Sequence, residues 1–550
     1  MRSMTRLAPI AVMLGVVTTV ACSDKERPPP LGDGWAIGTG GTSGTGTGGS
    51  AGLIQIDPND TPTTCQQAEE NNSYIGCDYW PTVTANSVWS IFDFAVVVSN
   101  TGTSEAAVHV TGNGVDIEVS VPPNTLETIY LPWVPSLKGP DANECGGTEV
   151  MTASVLQSAG AYHLVSSHPV TVYQFSALEY RGAGGPPGKS WTGCPGNSPC
   201  PDRNNAAVGC FSFSNDASLL LPTTALTGNY RLIGSNGEEV EGYGGLIPSF
   251  AAITAVRDGT LVEVKTKGKV LAGGGIPAMQ PGDTAQVTMN AGDVLELIGG
   301  KLSTDDLSGS LVVASQPVQV ITGMACRDEP AGSPACDHLE ESVFPAETLG
   351  RRYAVTVPHG PRAAVAPGQV VRLVGNVDDT TLTFDPAVNE ETTLKIGAGE
   401  VIDLGVQAGD FQVTGDHEFL VATFMLGATL VDAPLWEKGD PSQSLATSVE
   451  QYRQRYVFLA PRDYDTNFVN IVAEPGTRVN LDGTDVAATS FTAIGGSGLS
   501  VARVGLGPTG THTLKADRPV GVQVYGYGSY TSYQYPGGLN LKSIAPPPPK

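Results

Sequence analysis

Positive charge is scarce in this chain. Its 550 residues include 30 lysines and arginines against 55 aspartates and glutamates, which gives a formal net charge of −25. Proteins that bind nucleic acids neutralise phosphates with clusters of Lys and Arg, and the sequence has no such cluster. The composition therefore excludes a nucleic-acid partner and favours simple solubility or contact with basic surfaces.

Long apolar runs are scarce too. The apolar stretch within residues 1–21 is too short to span a bilayer stably. It follows two arginines and precedes small residues and Cys22, which is typical of a bacterial lipoprotein signal, although Thr19 departs from the usual Leu. We predict a cleaved signal peptide and an acylated (palmitate-bearing) Cys22, with ordinary secretory cleavage as the alternative. The expected location is the bacterial cell envelope, anchored to the outer membrane or cell surface.

Both ends of the sequence are poor in residues that can form a core. Residues 22–62 are rich in Pro, Gly, Thr and Ser, a composition that predicts a disordered, flexible tether behind the lipid anchor. The last ten residues, 541–550, predict a short Pro-rich tail.

No CxxC pair occurs, and no nearby His completes a zinc-binding set. Without Cys22, eight of the nine cysteines remain, and an even number in an exported protein predicts four disulfides. Cys65 and Cys77 bracket one short loop and Cys326 and Cys336 another, so each couple is expected to pair. The pairing among the remaining four cysteines is left open. These are Cys145, Cys194, Cys200 and Cys210.

Helical periodicity is almost absent, and Ser444–Tyr456 is the best candidate for a helix. The 68 glycines, 41 prolines and many short runs of Val, Ile and Thr instead predict strands joined by tight turns.

One short pattern occurs four times. Pro169, Pro317, Glu418 and Pro519 each precede an apolar run, and the last three lie 101 residues apart. The longer first interval is mostly explained by the Cys-rich insertion 181–210. A repeat of about 100 residues with six to eight strands is typical of a β-sandwich, whereas propeller blades are about half that length.

The predicted fold class is therefore all-β, with tandem β-sandwich repeats behind a disordered tether. The predicted boundaries are a signal peptide 1–21, a tether 22–62, β repeats 63–180, 216–340, 341–437 and 438–540, a Cys-rich insertion 181–215 and a tail 541–550.

Four stretches carry a family resemblance. They read NDASLLLPTTAL (215–226), PSFAAITAVRDGT (248–260), GGGIPAMQPGD (273–283) and above all ACRDEPAGSPACDHLEESVFPAETLGRRY (325–353). They resemble the IgGFc-binding protein N-terminal domain family, most clearly between Cys210 and Gly427. The resemblance implies an exported, disulfide-bearing binding domain and supplies no catalytic residues. The family takes its name from an animal protein that binds the Fc part of IgG, which does not imply that a bacterial member binds antibody.

Two segments contain side chains that could bind a ligand or take part in catalysis. Asp337, His338 and Glu340 lie close together in the sequence and could bind Ca²⁺ or serve as acid and base in a hydrolase. The alternative is a hydrogen-bonded connector between two repeats. The stretch AGGPPGKS (183–190) loosely matches a phosphate-binding loop, but the residues after it cannot form the helix that such a loop needs.

An aromatic segment near the end of the chain is a candidate binding surface. It contains Tyr525, Tyr527, Tyr530, Tyr533 and Tyr535. Tyrosines interleaved with Gly and Ser are typical of recognition surfaces, and the alternative is the packed end of a sandwich.

The sequence as a whole indicates a non-catalytic surface protein that acts in adhesion or in recognition of an extracellular protein or glycan. A structural spacer of the envelope is the alternative, and a hydrolase a weaker one. Ca²⁺ is the only cofactor that the sequence suggests.

Overall fold

The computed structural model describes residues 61–100, 102–240, 245–362, 367–507 and 510–548. The predicted signal peptide, Cys22 and most of the predicted tether lie outside the described residues. Within the described ranges the chain forms antiparallel strands with only short helices, which confirms the all-β prediction. None of the helices in these ranges has the length and hydrophobicity needed to cross a membrane.

The strand pairing divides the fold into four units. The first unit includes the long Cys-rich insertion, which precedes its last strand. Its region contains β1 (Gly76–Tyr79), β2 (Phe94–Asn100), β3 (Ala106–Gly112), β4 (Val115–Val121), β5 (Leu126–Leu131), β6 (Val155–Gln157), β7 (His163–Ser176), β8 (Pro199–Cys200), β9 (Ala206–Ala207) and β10 (Asp216–Leu219).

The second unit follows β10 in the chain. Its strands are β11 (Asn229–Arg231), β12 (Glu238–Val240), β13 (Gly245–Ile247), β14 (Ser249–Ala255), β15 (Thr260–Lys265), β16 (Thr284–Met289), β17 (Val294–Ile298), β18 (Leu311–Ala314), β19 (Val318–Arg327) and β20 (Asp337–Ser342).

The third and fourth units follow without a long insertion. The strands of unit three are β21 (Arg352–Val355), β22 (Gln369–Gly375), β23 (Thr380–Val388), β24 (Glu391–Ile396), β25 (Val401–Gln407), β26 (Phe411–Gly415), β27 (Phe419–Met425) and β28 (Ser442–Leu445). The strands of unit four are β29 (Arg453–Leu459), β30 (Thr466–Ala473), β31 (Val479–Leu481), β32 (Thr484–Asp485), β33 (Thr492–Ile494), β34 (Leu499–Leu506), β35 (Thr511–Gly528) and β36 (Thr531–Pro536).

Helices are short throughout the described residues. The α-helices are α1 (Cys65–Asn71), α2 (Pro135–Lys138) and α3 (Ala428–Val431), and the 3₁₀ turns are Pro195–Asn197, Pro201–Arg203, Thr223–Ala225, Ala346–Thr348, Val449–Gln451 and Ala488–Ser490. The predicted helix Ser444–Tyr456 is wrong. Its ends belong to β28 and β29, and only a single 3₁₀ turn lies between them, because both ends pair with neighbouring strands.

All four units share one strand order. In unit three the two sheets run β21-β26-β23-β24 and β28-β27-β22-β25. Unit two repeats this order with β11-β18-β15-β16 and β20-β19-β14-β17, and β6, from the part of the chain that belongs to unit one, adds a fifth strand beside β17. Units one and four show the same pairings, except that one long strand, β7 or β35, belongs to both sheets. In unit three, both sheets contribute side chains to one buried core, so each unit is a sandwich in the predicted sense.

The recurring proline marks the place where the chain passes from one sheet to the other. In β7 and β35 the residues before Pro169 and Pro519 pair with β3 and β31 of one sheet, those after them pair with β2 and β30 of the other, and the two prolines pair with none of these strands. The strands β1 and β29 pair on both sides of the proline through a bulge. Pro317 lies just before β19. A residue without an N–H costs no ladder hydrogen bond at such a point.

The four last strands, β10, β20, β28 and β36, meet at the centre of the molecule, and we call them the inner strands. Each contacts the next, and β36 of unit four contacts β10 of unit one, so the units form a closed ring. Hydrogen bonds join neighbours in this ring: the Glu340 N–H donates to Asp216 (3.1 Å), and Gln534 Nε2 donates to the Ser442 carbonyl (2.8 Å). The exact domain boundaries given above stay a prediction.

Contacts between the two ends of the described fold complete the ring. Ser73 and Asn540 form an antiparallel bridge, the Leu541 N–H donates to Asn72 O (2.8 Å), and the Tyr74 N–H donates to Leu539 O (3.2 Å). The described part of the predicted tail, up to residue 548, has no regular secondary structure and packs in part on the 3₁₀ turn that contains Glu347.

Candidate functional site

A pocket opens where the connections into the four inner strands converge, and we call it the apical pocket. Its cavity volume is about 420 Å³. Its walls come from the connections 177–215, 328–336, 426–441 and 529–530, one from each unit, and from the loop that carries Cys145. Every unit therefore contributes to one concave surface at the axis of the ring.

Disulfides fix three of these walls. Cys145 pairs with Cys200 and Cys194 with Cys210, so the Cys-rich insertion is tied both to the loop before it and to itself. The other two disulfides are Cys65–Cys77 and Cys326–Cys336. The predictions for the two short loops are confirmed, and the pairing that was left open is now assigned.

Three aromatic side chains from three different units line the pocket. Phe213, Trp436 and Tyr530 all have a left-handed backbone, with φ of 52°, 54° and 58°. Ala335, from the remaining unit, also lines the pocket with φ of 81°. Bulky residues rarely adopt this conformation, which costs on the order of 1–3 kcal/mol each and is concentrated at functional sites. The same unfavourable backbone conformation occurs at the pocket in all four units, which indicates that these side chains are held towards the pocket because they have a function there.

The aromatic wall continues from the buried interior to solvent. Trp89 is buried and contacts Phe213 edge-on at 6.4 Å between ring centroids, and Phe213 contacts Tyr530 at 5.7 Å. At the rim, Trp436 is 58 % exposed and the adjacent Leu435 is 62 % exposed. Large apolar side chains at this exposure next to a cavity are typical of an interaction site.

The floor of the pocket carries a buried carboxyl group, that of Asp440. Its Oδ1 atom finds no hydrogen-bond partner among the described residues. Burial, reinforced by the charge of Asp328, raises the pKa of Asp440. Burial raises the pKa of the nearby Asp337 carboxyl, and the charge of Asp440 raises it further. Such a floor would gain stability from a cation, which would favour the charged form of the carboxyl.

The other predicted acidic residues lie within the ring. Glu340 accepts hydrogen bonds from Thr84 Oγ1 (2.7 Å) and Gln174 Nε2 (3.1 Å), and His338 Nε2 lies 3.4 Å from its carboxylate. His338 and Glu340 are fully buried. Across the described ranges no three His, Cys, Asp or Glu residues are grouped so that they could hold a metal. The arrangement supports the alternative of a hydrogen-bonded connector.

Four of the five candidate tyrosines are buried, so the interpretation of this segment as a surface is wrong for them. Tyr525, Tyr527, Tyr533 and Tyr535 are at most 1 % exposed. Tyrosines alternate with other residues along β35 and β36, and other parts of the ring cover both faces of these strands. Tyr530, at the turn between the two strands, is the one that reaches the pocket.

Sequence reasoning missed the pocket's other aromatic and acidic residues, Phe213, Trp436, Trp89 and Asp440. A weak signal existed, because Phe213, Trp436 and Tyr530 all lie within six residues of an inner strand. The connections differ too much in length and composition for that signal to have been visible.

The curated human IgGFc-binding protein is 26 % identical over 339 residues, which cover 61 % of this chain. The match spans 6 % of the length of that relative. Among solved structures, an anti-sigma factor domain-containing protein from Clostridium clariflavum shows 12 % identity over 56 % of this chain and 83 % of its own, with a TM-score of 0.10. A likeness that low carries no argument about fold or function.

A family model described as IgGFc binding protein matches residues 216–526, more than half of the chain. The matched range begins at the first inner strand and ends within β35, so it covers units two and three and most of unit four. The resemblance predicted from the sequence is thereby confirmed: the chain belongs to the IgGFc binding protein family.

Proposed function

We propose that this chain is a non-catalytic binding protein of the bacterial cell surface that holds an extracellular protein partner in the apical pocket. The observation that carries the proposal is the convergence of three backbone-strained aromatic residues, Phe213, Trp436 and Tyr530, on one cavity. Aromatic side chains dominate the energy of protein interfaces when they lie at the centre of the contact. Rigid placement on disulfide-tied loops lowers the entropy lost on binding.

The partner that best fits the pocket is a protein that presents a basic side chain beside an apolar patch. Trp436 and Leu435 supply the apolar contact, and Asp440 supplies a buried carboxyl without a hydrogen-bond partner among the described residues. Arg203 also borders the pocket, but its side chain is exposed, so it is screened by solvent. The net charge of −25 would favour encounter with a basic surface.

Two further observations support a surface role. The sequence around Cys22 is typical of a lipid anchor. The curated relative is named for binding the Fc of IgG, and the match to this chain makes Fc a logical first candidate partner.

A binding screen with the compact unit, residues 56–550, tests the proposal. Immobilised protein would be offered an Fc fragment and extracellular glycoproteins, before and after enzymatic removal of glycans, with and without Ca²⁺. We expect a partner that is retained after deglycosylation, and a loss of affinity of about 30-fold or more in Trp436→Ala, as for a central interface residue. Asp440→Asn should selectively weaken a partner rich in lysine or arginine.

The matched control is Leu302→Ala, because Leu302 is similarly exposed at 54 % and does not line the pocket. Its affinity should equal that of the wild type. Unchanged binding in Trp436→Ala would refute the pocket as the site. Loss of all binding on deglycosylation would identify a glycan ligand, and retention of nothing would favour the structural spacer.

A further inference from the structure

A lysine and an aspartate from different parts of unit one meet outside the apical pocket. Lys189 lies in the Cys-rich insertion, and its Nζ atom is 2.7 Å from Oδ2 of Asp93, the residue just before β2. The two side chains are only 15 % and 22 % exposed. The contact joins a loop without regular structure to the edge of a sandwich.

A third ionisable group lies beside this pair. Glu179 follows β7, is buried, and accepts a hydrogen bond from the Asp93 N–H through Oε2 (3.0 Å). Its Oε1 atom is buried without a hydrogen-bond partner among the described residues. A Cβ atom on Gly185 would lie 3.1 Å from this Oε1 and 3.0 Å from Lys189 Cγ, so the glycine lets the carboxyl and the lysine stem lie side by side.

Aromatic rings limit access of water to the lysine end. Lys189 Nζ lies 4.9 Å from the centre of the Trp191 ring, and that ring packs on Phe92 at 5.0 Å. Burial raises the pKa of Glu179 to about 7, and the charge of Asp93 adds to this effect. A carboxyl that titrates near neutral pH is suited to take up a proton and return it.

We propose that Lys189 and Asp93 become joined by an intramolecular amide bond, with Glu179 as the residue that transfers the proton. The Lys189 ammonium, whose Nζ atom is hydrogen-bonded to Asp93 and not to Glu179, gives a proton to the Glu179 carboxylate through one bridging water, and the neutral amine attacks Cγ of Asp93. The Cγ–N bond forms, the Cγ–Oδ2 bond breaks, and the leaving oxygen departs as water with the proton from Glu179 and a second proton from the nitrogen. An ammonium and a carboxylate thus become an amide and one water, without oxidant or cofactor.

Proximity is the main driving factor. Holding amine and carboxyl within hydrogen-bond distance replaces an encounter in solution by an intramolecular step, and effective molarities of about 10⁵ M or more are reached in well-oriented cases. A partly desolvated amine is also more nucleophilic than one in water.

Mass spectrometry of the purified chain, after reduction and alkylation of the disulfides, tests the proposal. We expect an intact mass lower by one water molecule, and a branched peptide in a proteolytic digest that links the segments of Asp93 and Lys189. Lys189→Arg and Glu179→Gln should both restore the full mass. Lys301→Arg, on an exposed loop, should keep the loss.

The pair Lys138 and Asp141 serves as an internal control. Their Nζ and Oδ1 atoms are also 2.7 Å apart, but no glutamate hydrogen-bonds to this pair within the described residues, so no branched peptide should arise there. A wild-type digest that yields linear Asp93 and Lys189 peptides only would overturn the proposal, whatever the variants do. A water loss that persists in Glu179→Gln would remove the assigned role of Glu179.

Discussion

The Asp216 carboxylate shows how single residues hold the ring together. It accepts hydrogen bonds from the Ser442 hydroxyl (2.7 Å) and the Gln443 N–H (3.0 Å) of β28, from the Glu340 N–H of β20 (3.1 Å) and from the adjacent Ala217 N–H (2.9 Å). One side chain of unit one thus binds units two and three. Asp216 is fully buried, and this burial raises its pKa in spite of these donors.

We predict that Asp216→Ala lowers the free energy of unfolding by about 3 kcal/mol or more, because each buried donor left without an acceptor costs about 1–3 kcal/mol. Urea denaturation measures the loss. The control is Asp517→Ala, since Asp517 pairs with Arg478 at the surface, where solvent screens the pair and its contribution to stability is small. Equal effects of the two substitutions would show that the central hydrogen bonds do not stabilise the ring.

Asp328, in the connection beside the pocket, should make stability depend on pH. Burial and the charge of Glu238 raise its pKa to about 7, Arg327 opposes this, and Glu329 adds to it. The unfolded carboxyl loses its proton near pH 4. Between about pH 4 and pH 7 the folded state therefore binds more protons, and the free energy of unfolding contributed by Asp328 falls as pH rises.

Asp328→Asn should remove this contribution. Thermal unfolding of the wild type and the variant from pH 4 to pH 8 measures it: the stability advantage of the variant is expected to grow with pH up to about 7 and then level off. Parallel curves for the two proteins would contradict the raised pKa.

Among the elements, the disulfide-tied insertion belongs to the pocket more than to the sheets. Cys145 lines the pocket, and its partner Cys200 lies in the short strand β8 outside the sandwiches. Replacing both by Ser should therefore leave the sheets formed and lower the free energy of unfolding by about 2–4 kcal/mol. The affinity for the partner should fall about tenfold. Circular dichroism and a biosensor measure the two effects.

The comparison is the double substitution of Cys65 and Cys77 by Ser, a disulfide that ties α1 to β1 and does not line the pocket. It should lower stability without changing affinity. If both double variants bind equally well, the insertion does not shape the site.

The elements differ in how far they could be predicted. β19 and β27 are local features, since an apolar run of β-branched residues behind a proline or polar pair specifies a strand on its own. The inner strands β10, β20 and β28 read DASL, DHLEES and SQSL, which share no alternation of apolar and polar residues. Both of their faces are covered, so the usual pattern of a half-exposed strand is lost. The ring, and the pocket above it, were therefore invisible in the sequence.

At the scale of the whole molecule, the four sandwiches are not independent domains. One continuous core includes Phe94 of unit one, Leu295 of unit two, Phe424 of unit three and Val522 of unit four. We predict that residues 56–550 unfold in one cooperative transition, with equal calorimetric and van't Hoff enthalpies. Several separate calorimetric peaks would show that the units fold alone, as a tandem array would.

The bridge between Ser73 and Asn540 imposes an order on biosynthesis. It joins nearly the most distant points of the described chain, and contacts between distant residues form late and slowly. The edge at Ser73 therefore stays unpaired until residues 539–541 have been synthesised and brought back to it. A stop codon or a protease cut just before residue 539 would thus remove these contacts and expose the edge at Ser73, while β36 and its contact with β10 stay in the chain.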